Sequence, residues 1–261
     1  MFHTTNNTFT VSPESTVLIL GLGGGTDIIS SIALGKMLNL TGPNVYFGNT
    51  KSGRTPTKRL TPIINTQFAY QIPEPLPRPN GKRWRSPILE ECIPRVNENP
   101  YLLFKCLKDE SDLRQLGLDV QQTLSSFNIT HILAVDTGGD VLSETSTSSP
   151  MGRDRRMLEV LKQLDVSITL FVVGPGSDGE STEVELQRAF AAHEEQYLGT
   201  ISSAGMRSTL EELGEWVGKD RTVNIIARAH STTQDTQRIK RNKKPLIPTS
   251  MLRDIWVFQV S

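Results

Sequence analysis

The sequence predicts an α/β fold, a doubly wound and mostly parallel sheet of Rossmann-like type with helices on both faces. Apolar segments of strand length recur along the 261 residues. Most of them are continuous rather than alternating, as strands covered on both faces require. Helical patterns lie between them, which implies parallel strands joined by crossovers. The chain is long enough to bury a full core and is read as a single α/β domain over 1–261, with 54–95 a proline-rich basic insertion or flap.

Strands are expected at "TVLILG" (16–21), "NVYFG" (44–48), "HILAVD" (131–136), "SITLFVVG" (167–174), "VNIIAR" (223–228) and "DIWVFQV" (254–260). Ile28, Ile29, Ile32, Ala33 and Met37 follow the first strand at helical spacing, as do Met157, Leu158, Leu161 and Leu164 further on. Thr182 with Glu185, and Ser208 with Glu211, have the spacing of capping boxes that open two more helices. Ser149–Pro150 reads as a cap with proline in the first turn of the helix carrying Arg153, Asp154, Arg155 and Arg156.

Between Pro56 and Pro94 lie more than half of the chain's 15 prolines. "IPEPLPRPNGKRWRSP" can be neither helix nor central strand, because proline removes the donor those ladders need. It is either an extended surface excursion or a flap that brings cations over a site. The second basic run, "RIKRNKK" (238–244), reads as a solvated loop joining the last two strands.

Lys+Arg and Asp+Glu balance at 28 each, so no global charge draws the chain to nucleic acid or to a membrane. The longest apolar runs are strand-sized, far short of a membrane span. "MFHTTNNTFTVSPES" lacks the basic and apolar regions of a secretory signal. Cys92 and Cys106 have no metal-ligand spacing and are too few for a disulfide framework. A cytoplasmic protein with reduced thiols is expected, and a homo-oligomer is left open.

The feature that asks for a function is "VLILGLGGGTD", where Gly21, Gly23, Gly24 and Gly25 fall within five residues of a strand-to-helix corner, followed by Thr26 and Asp27. Glycine tolerates positive φ and lets a backbone approach a ligand, and N–H groups at a helix start attract anions. The alternative is a tight packing corner. Gly21-x-Gly23 begins a dinucleotide fingerprint, but Thr26 stands at the third glycine position and no acid follows about twenty residues on. Asn49, Thr50, Lys51 and Arg54 stand there instead and could take the 2′-phosphate of NADP.

Two further strands end in the same chemistry: "LAVDTGGD" with Asp136, Gly138, Gly139 and Asp140, and "FVVGPGSDGE" with Gly176, Asp178 and Glu180. In a parallel sheet these ends share one edge, where ligands bind. Several carboxylates beside anion-binding loops make sense if Mg²⁺ bridges them to a phosphate. Asp136 and Asp140 are the candidates for metal binding or proton transfer; Asp27 joins the acids of the ligand-binding rim or, as the preferred reading, serves as a helix-dipole partner. His131 opens a strand and reads as a packed histidine. His230 is expected to end a strand and reach the rim. No zinc motif is present, and "GPGSDG" does not fit a nucleophile elbow around Ser177.

In their order and spacing, "GLGGGTDIISSIALGKML", "DTGGDVL", "SPMGRDRRMLEVL" and "FVVGPGSDGESTEVEL" resemble a mostly archaeal and bacterial family catalogued as domain of unknown function 1152. The resemblance runs from about Val17 to the last strand. It implies the fold and the motif positions and supplies no activity. The family pattern usually has glycine where Thr26 stands, which implies a stiffer corner here. Three functions fit these residues: an enzyme acting on a phosphorylated or nucleotide-like metabolite with Mg²⁺, an NADP-dependent oxidoreductase, or a non-catalytic nucleotide sensor.

Overall fold

The computed structural model describes residues 3–5, 8–10, 12, 14–52, 55, 60–72, 88–142, 152–240 and 244–260. A two-stranded ribbon of β1 (His3–Thr5) and β2 (Thr8–Thr10) comes first. The main sheet then takes β3 (Val17–Gly21), β4 (Val45–Lys51), β5 (Thr61–Pro62), β6 (Ala69–Ile72), β7 (Tyr101–Lys105), β8 (His131–Thr137), β9 (Ser167–Val173), β10 (Tyr197–Ser202) and β13 (Asp254–Val260). Its nine strands lie in the order β10-β13-β9-β8-β3-β4-β7-β6-β5.

The five central strands, β9-β8-β3-β4-β7, are parallel, and antiparallel strands extend the sheet on both sides. The chain moves outward from β3 through β4 to β7, then returns past β3 to lay down β8 and β9. The direction therefore reverses between β3 and β8. Strands in the middle are buried on both faces, which is why their sequences read as unbroken apolar runs.

Helices cover both faces. On one lie α1 (Asp27–Met37), α5 (Arg207–Gly214) and α6 (Thr222–Ala229), packing Ile28, Ile32, Leu210, Leu213, Val223 and Ile226 onto Ile19, Phe47 and Val135. On the other lie α2 (Glu110–Ser126), α3 (Arg153–Leu161) and α4 (Glu183–Ala192), packing Leu116, Val120, Met157, Leu161 and Leu186 onto Leu18, Ala134 and Leu170. Because α5 and the sheet enclose α1 from two sides, its interior is apolar nearly all round. Gly35 lets it lie close to β4, since a Cβ there would come within 2.7 Å of the Phe47 ring.

Some expectations are corrected. "VNIIAR" is not a strand but most of α6; Val223, Ile226 and Ala227 recur at helical spacing and face one core layer. A six-residue apolar run is ambiguous between the two structures, and β-branched residues tipped it the wrong way. His230 therefore follows a helix, not a strand. Thr182 and Glu185 do form a capping box, but Ser208 lies inside α5, which starts at Arg207 without a side-chain cap.

The helix after 150 starts at Arg153 with Gly152 as its cap, three residues later than a cap at Ser149 with Pro150 in the first turn would place it. Ser149–Pro150 lies outside the described residues. "RIKRNKK" does not run on toward the last strand of the main sheet as a simple loop. It includes the end of β11 (Thr236–Arg238) and leads toward β12 (Leu246–Pro248), its antiparallel partner, ahead of the short α7 (Thr249–Arg253). The strand β10, absent from the expected set, lies at one edge of the sheet with mostly half-exposed residues and a bulge at Gly199.

Much of the proline-rich segment, including Arg54, Arg78, Lys82, Arg83, Trp84 and Arg85, lies outside the described residues. Its described part contains the edge strand β5 and its neighbour β6, so it is not wholly irregular. The β6 turn is held by Asp119 of α2, whose Oδ2 accepts from the Gln67 and Phe68 N–H groups.

Candidate functional site

The ends of β3 and β8 face each other where the chain direction reverses. The two strands stay in register to Gly21 opposite Val135, and the Leu22 N–H then donates to the Val135 carbonyl. The β8 and β9 loops are tied in the same way, Gly138 N–H to Val173 O (3.2 Å) and Gly176 N–H to Gly138 O (2.6 Å). The three glycine–acid loops thus form one continuous rim, with α1 and α3 starting beside it.

Most of the glycines make room for the protein itself. A Cβ on Gly21 would press on Asn49 and Asp27, one on Gly23 would collide with the carboxylates of Asp154 and Asp27, and one on Gly24 (φ +75°) would strike the Thr50 carbonyl. Gly138 lies against Asp178, Gly139 against Leu186 and Gly176 against Ile247. Only Gly25 (φ +59°) in the first loop faces open space. The group at the glycine corner belongs to the chain itself: Asp27 Oδ2 accepts from the Gly23 N–H at 2.7 Å, and Asp154 fills the space beside Gly23.

These contacts change what a glycine replacement should do. Gly24→Ala adds a collision with backbone to an unfavourable φ and is expected to lower stability by roughly 3 kcal/mol or more. Gly25→Ala meets only the φ penalty, of about 1–2 kcal/mol. Urea unfolding midpoints measure both, and equal losses would contradict the packing described here.

Thr26 adopts ordinary right-handed helical angles (φ −92°, ψ −1°), so the corner has no need of a fourth consecutive glycine. Its hydroxyl shares a 2.6 Å hydrogen bond with that of Thr222 at the start of α6. The corner is therefore tied to a neighbouring helix.

At the centre, carboxylate oxygens of Asp27, Asp136 and Asp154 lie within 4.8 Å of one another. Each comes from a different element: the first residue of α1, the end of β8 and the first turn of α3. Asp136 is fully buried; its Oδ2 accepts from the Gly139 N–H at 2.9 Å, and its Oδ1 has no hydrogen-bond partner among the described residues. Asp140, Asp178 and Glu180 stand on the β9 side of this trio, close enough for their charges to act on one another.

Burial, and then mutual repulsion, raise the affinity of this group for protons. Asp27 is pushed up to about 8 by burial and by Asp154. Asp136 lies well above the usual carboxylate range through burial, Asp140 and Asp154, and Asp140 through burial, Asp154 and Asp178. Asp154 is raised by burial and partly relieved by Arg153. The Arg153 guanidinium lies next to Gly24, and its Nε has no hydrogen-bond partner among the described residues.

So many carboxyls packed together, Asp27 and Asp136 buried and Asp140 and Asp154 half-buried, have two stable states. Either they share protons, or a hard cation replaces the protons and the oxygens become its ligands. Buried carboxylate oxygen is the donor type such a cation takes.

Of the expected site residues, Asp27 and Asp136 belong to the central trio, and Asp140, Asp178 and Glu180 flank it. Asp27 is at once a helix-start acid and a member of the cluster. Asp154 was missed as a site acid, because an acid among three arginines reads as a surface ion pair. Its place in the first turn of the helix after β8 was the available signal.

Lys51 lies outside the cluster. It is buried in an ion pair with Glu90, Nζ to Oε1 2.9 Å. His131 is half-buried at the start of β8, at the opposite end of the strand from the rim. His230, at the end of α6, is engaged by Ser203. Its Nε2 lies 2.8 Å from Ser203 Oγ, which itself donates to the Arg253 carbonyl, so the histidine is the donor to that serine and cannot be its base.

Fold and site together define an α/β protein with a mixed, largely parallel sheet and a buried carboxylate cluster on the carboxyl edge. The chain belongs to the family described as "Protein of unknown function (DUF1152)", whose model matches residues 79–260. That span takes in Asp136, Asp140, Asp154 and Asp178, while the glycine corner lies ahead of it. Neither a curated protein nor a solved structure matches the chain. Among the described residues, no helix is long and apolar enough to cross a membrane.

Proposed function

We propose that the chain binds a phosphorylated or nucleotide-like metabolite together with Mg²⁺ at the carboxyl edge of the sheet, and acts on it as an enzyme. The observation that carries this reading is the trio Asp27, Asp136 and Asp154, with an unpartnered buried oxygen on Asp136. These three would hold the cation. A phosphate would then complete its coordination from the open side, near Arg153 and Gly25, and the metal would offset the repulsion between phosphate and acids. Asp140, half-buried beside the trio, would move a proton.

The strand order supports the reading. Numbered along the chain, the five parallel strands lie 3-2-1-4-5, a doubly wound, Rossmann-like order whose reversal point is where such sheets bind nucleotides. The pairing of Lys51 with Glu90 speaks against the NADP reading, since it cancels a cation meant for the 2′-phosphate.

A thermal-shift panel of nucleotides, sugar phosphates, pyrophosphate and NADP, with and without Mg²⁺, tests the proposal. A raised melting temperature that needs both phosphate and Mg²⁺ is expected. A response to NADP alone would favour the oxidoreductase. Mg²⁺-dependent binding without turnover of any bound compound would favour the sensor.

A further inference from the structure

In dinucleotide-binding sheets the acid that holds the ribose stands at the end of the second parallel strand, about twenty residues after the glycines. Here that strand, β4, closes on Asn49, Thr50 and Lys51, none of them acidic. The structure brings an acid to the same place by another route. Glu90, in a 3₁₀ turn (Leu89–Glu91) far along the chain, lies against the end of β4, where its Oε1 accepts from Asn49 Nδ2 and pairs with Lys51 Nζ. Asn49 in turn touches the glycine corner, since a Cβ on Gly21 would stand 2.5 Å from its Oδ1. Gly21, Asn49, Glu90 and Lys51 therefore form one connected polar patch beside the first loop.

Two properties of this patch point to what it takes. Glu90 is fully buried, yet its Oε2 has no hydrogen-bond partner among the described residues. A buried carboxylate oxygen left without a donor is costly, and such groups in folded proteins are normally satisfied. Among the described residues the patch also pairs one acid with one base. Glu90 cancels the charge of Lys51, while an ammonium carries three donors and this contact uses one. An acceptor without a donor beside an ammonium with further donors, their charges paired with each other, matches a pair of neighbouring hydroxyls. A phosphate would set its charge against the Glu90 carboxylate, whose partner Lys51 is already paired with it.

We infer that the ligand of this edge is a ribonucleotide with free 2′- and 3′-hydroxyls, and that Glu90, with Lys51 and Asn49, binds those hydroxyls. The inference rests on the phosphate-and-cation reading above and deepens it: the trio and Arg153 take the phosphate end, and the β4 patch takes the sugar.

Wild-type protein with Mg²⁺ is titrated calorimetrically with pyrophosphate and with the four ribonucleoside diphosphates. The tightest of these is then compared with its 2′-deoxy and 3′-deoxy forms. The deoxy forms are expected to bind about 10- to 100-fold more weakly, the loss of one hydrogen bond to a charged group. In full-length Glu90→Gln the ribose preference should shrink to a few-fold at most, while pyrophosphate binding stays unchanged. If that variant does not fold, the wild-type comparison decides alone. Equal binding of ribo and deoxy forms, or pyrophosphate binding as tight as any nucleotide, would overturn the ribose site and leave the phosphate reading standing. No Mg²⁺-dependent binding of any of these probes would overturn both.

Discussion

Asp136→Asn is expected to abolish divalent-cation binding while leaving the empty protein as stable as before, or more so. The asparagine oxygen can keep the hydrogen bond from the Gly139 N–H, so the β8 loop has no reason to move. Its amide nitrogen would then stand where Oδ1 stands, close to Asp154 and Asp27, and would donate where a carboxylate only repels. A gained hydrogen bond to a charged group contributes about 1.5–3 kcal/mol. For the cation the same change removes a charged ligand from the middle of the trio, and an affinity loss of roughly 100-fold or more is expected. Differential scanning fluorimetry with and without Mg²⁺ measures both quantities. A variant that unfolds without metal would show that Asp136 braces the fold instead.

The second large effect is in the pH dependence of the metal-free protein. Asp27 is raised from the usual 3.8 to about 8, and Asp136, Asp140 and Asp154 are raised as well. Each has a higher proton affinity folded than unfolded. Between about pH 4 and pH 8 the folded state therefore binds more protons, and its stability falls as pH rises through that window. For Asp27 the stabilisation is fully present below the unfolded value near 3.8 and is lost by about 8. Each tenfold gain in proton affinity on folding corresponds to about 1.4 kcal/mol, so the cluster should change stability by several kcal/mol. Urea unfolding at pH 5, 6.5 and 8 without metal should show this decline, and saturating Mg²⁺ should flatten it. A flat metal-free profile would mean the carboxyls are not buried together as described.

How much of this could be read from the chain depends on what each element must bury. The strands β3, β8 and β9 were legible because strands covered on both faces have nowhere to put a polar residue, and their glycine–acid endings marked the shared edge. The α4 capping box was legible because both of its hydrogen bonds are local. "VNIIAR" was misread because a short apolar run carries no period long enough to separate helix from strand. At the sheet's margin, "YLGTIS" is half-exposed and interrupted by glycine, so little in it distinguishes β10 from a loop.

The site divides along the same line. Asp27, Asp136 and Asp140 follow strands directly, and sequence alone places them on the rim. Asp154 and Glu90 arrive through α3 and through a turn inside the proline-rich segment, and only tertiary packing brings them to it. The glycines show the limit most clearly. Their density reads as room for an anion from outside, whereas Gly21, Gly23 and Gly24 make room for the chain's own Asn49, Asp27, Asp154 and Thr50.

The central claim is that Asp27, Asp136 and Asp154 exchange protons for a divalent cation. Calorimetric titration of the metal-free protein with Mg²⁺ near pH 6.5, repeated in buffers of different ionisation enthalpy, tests it directly. Carboxyls raised by burial and mutual repulsion must give up protons as the ion enters. The expected result is a saturable site of one cation per chain, with about one or more protons released per ion bound. Absence of saturable binding at millimolar Mg²⁺, or binding with no proton release, would contradict it.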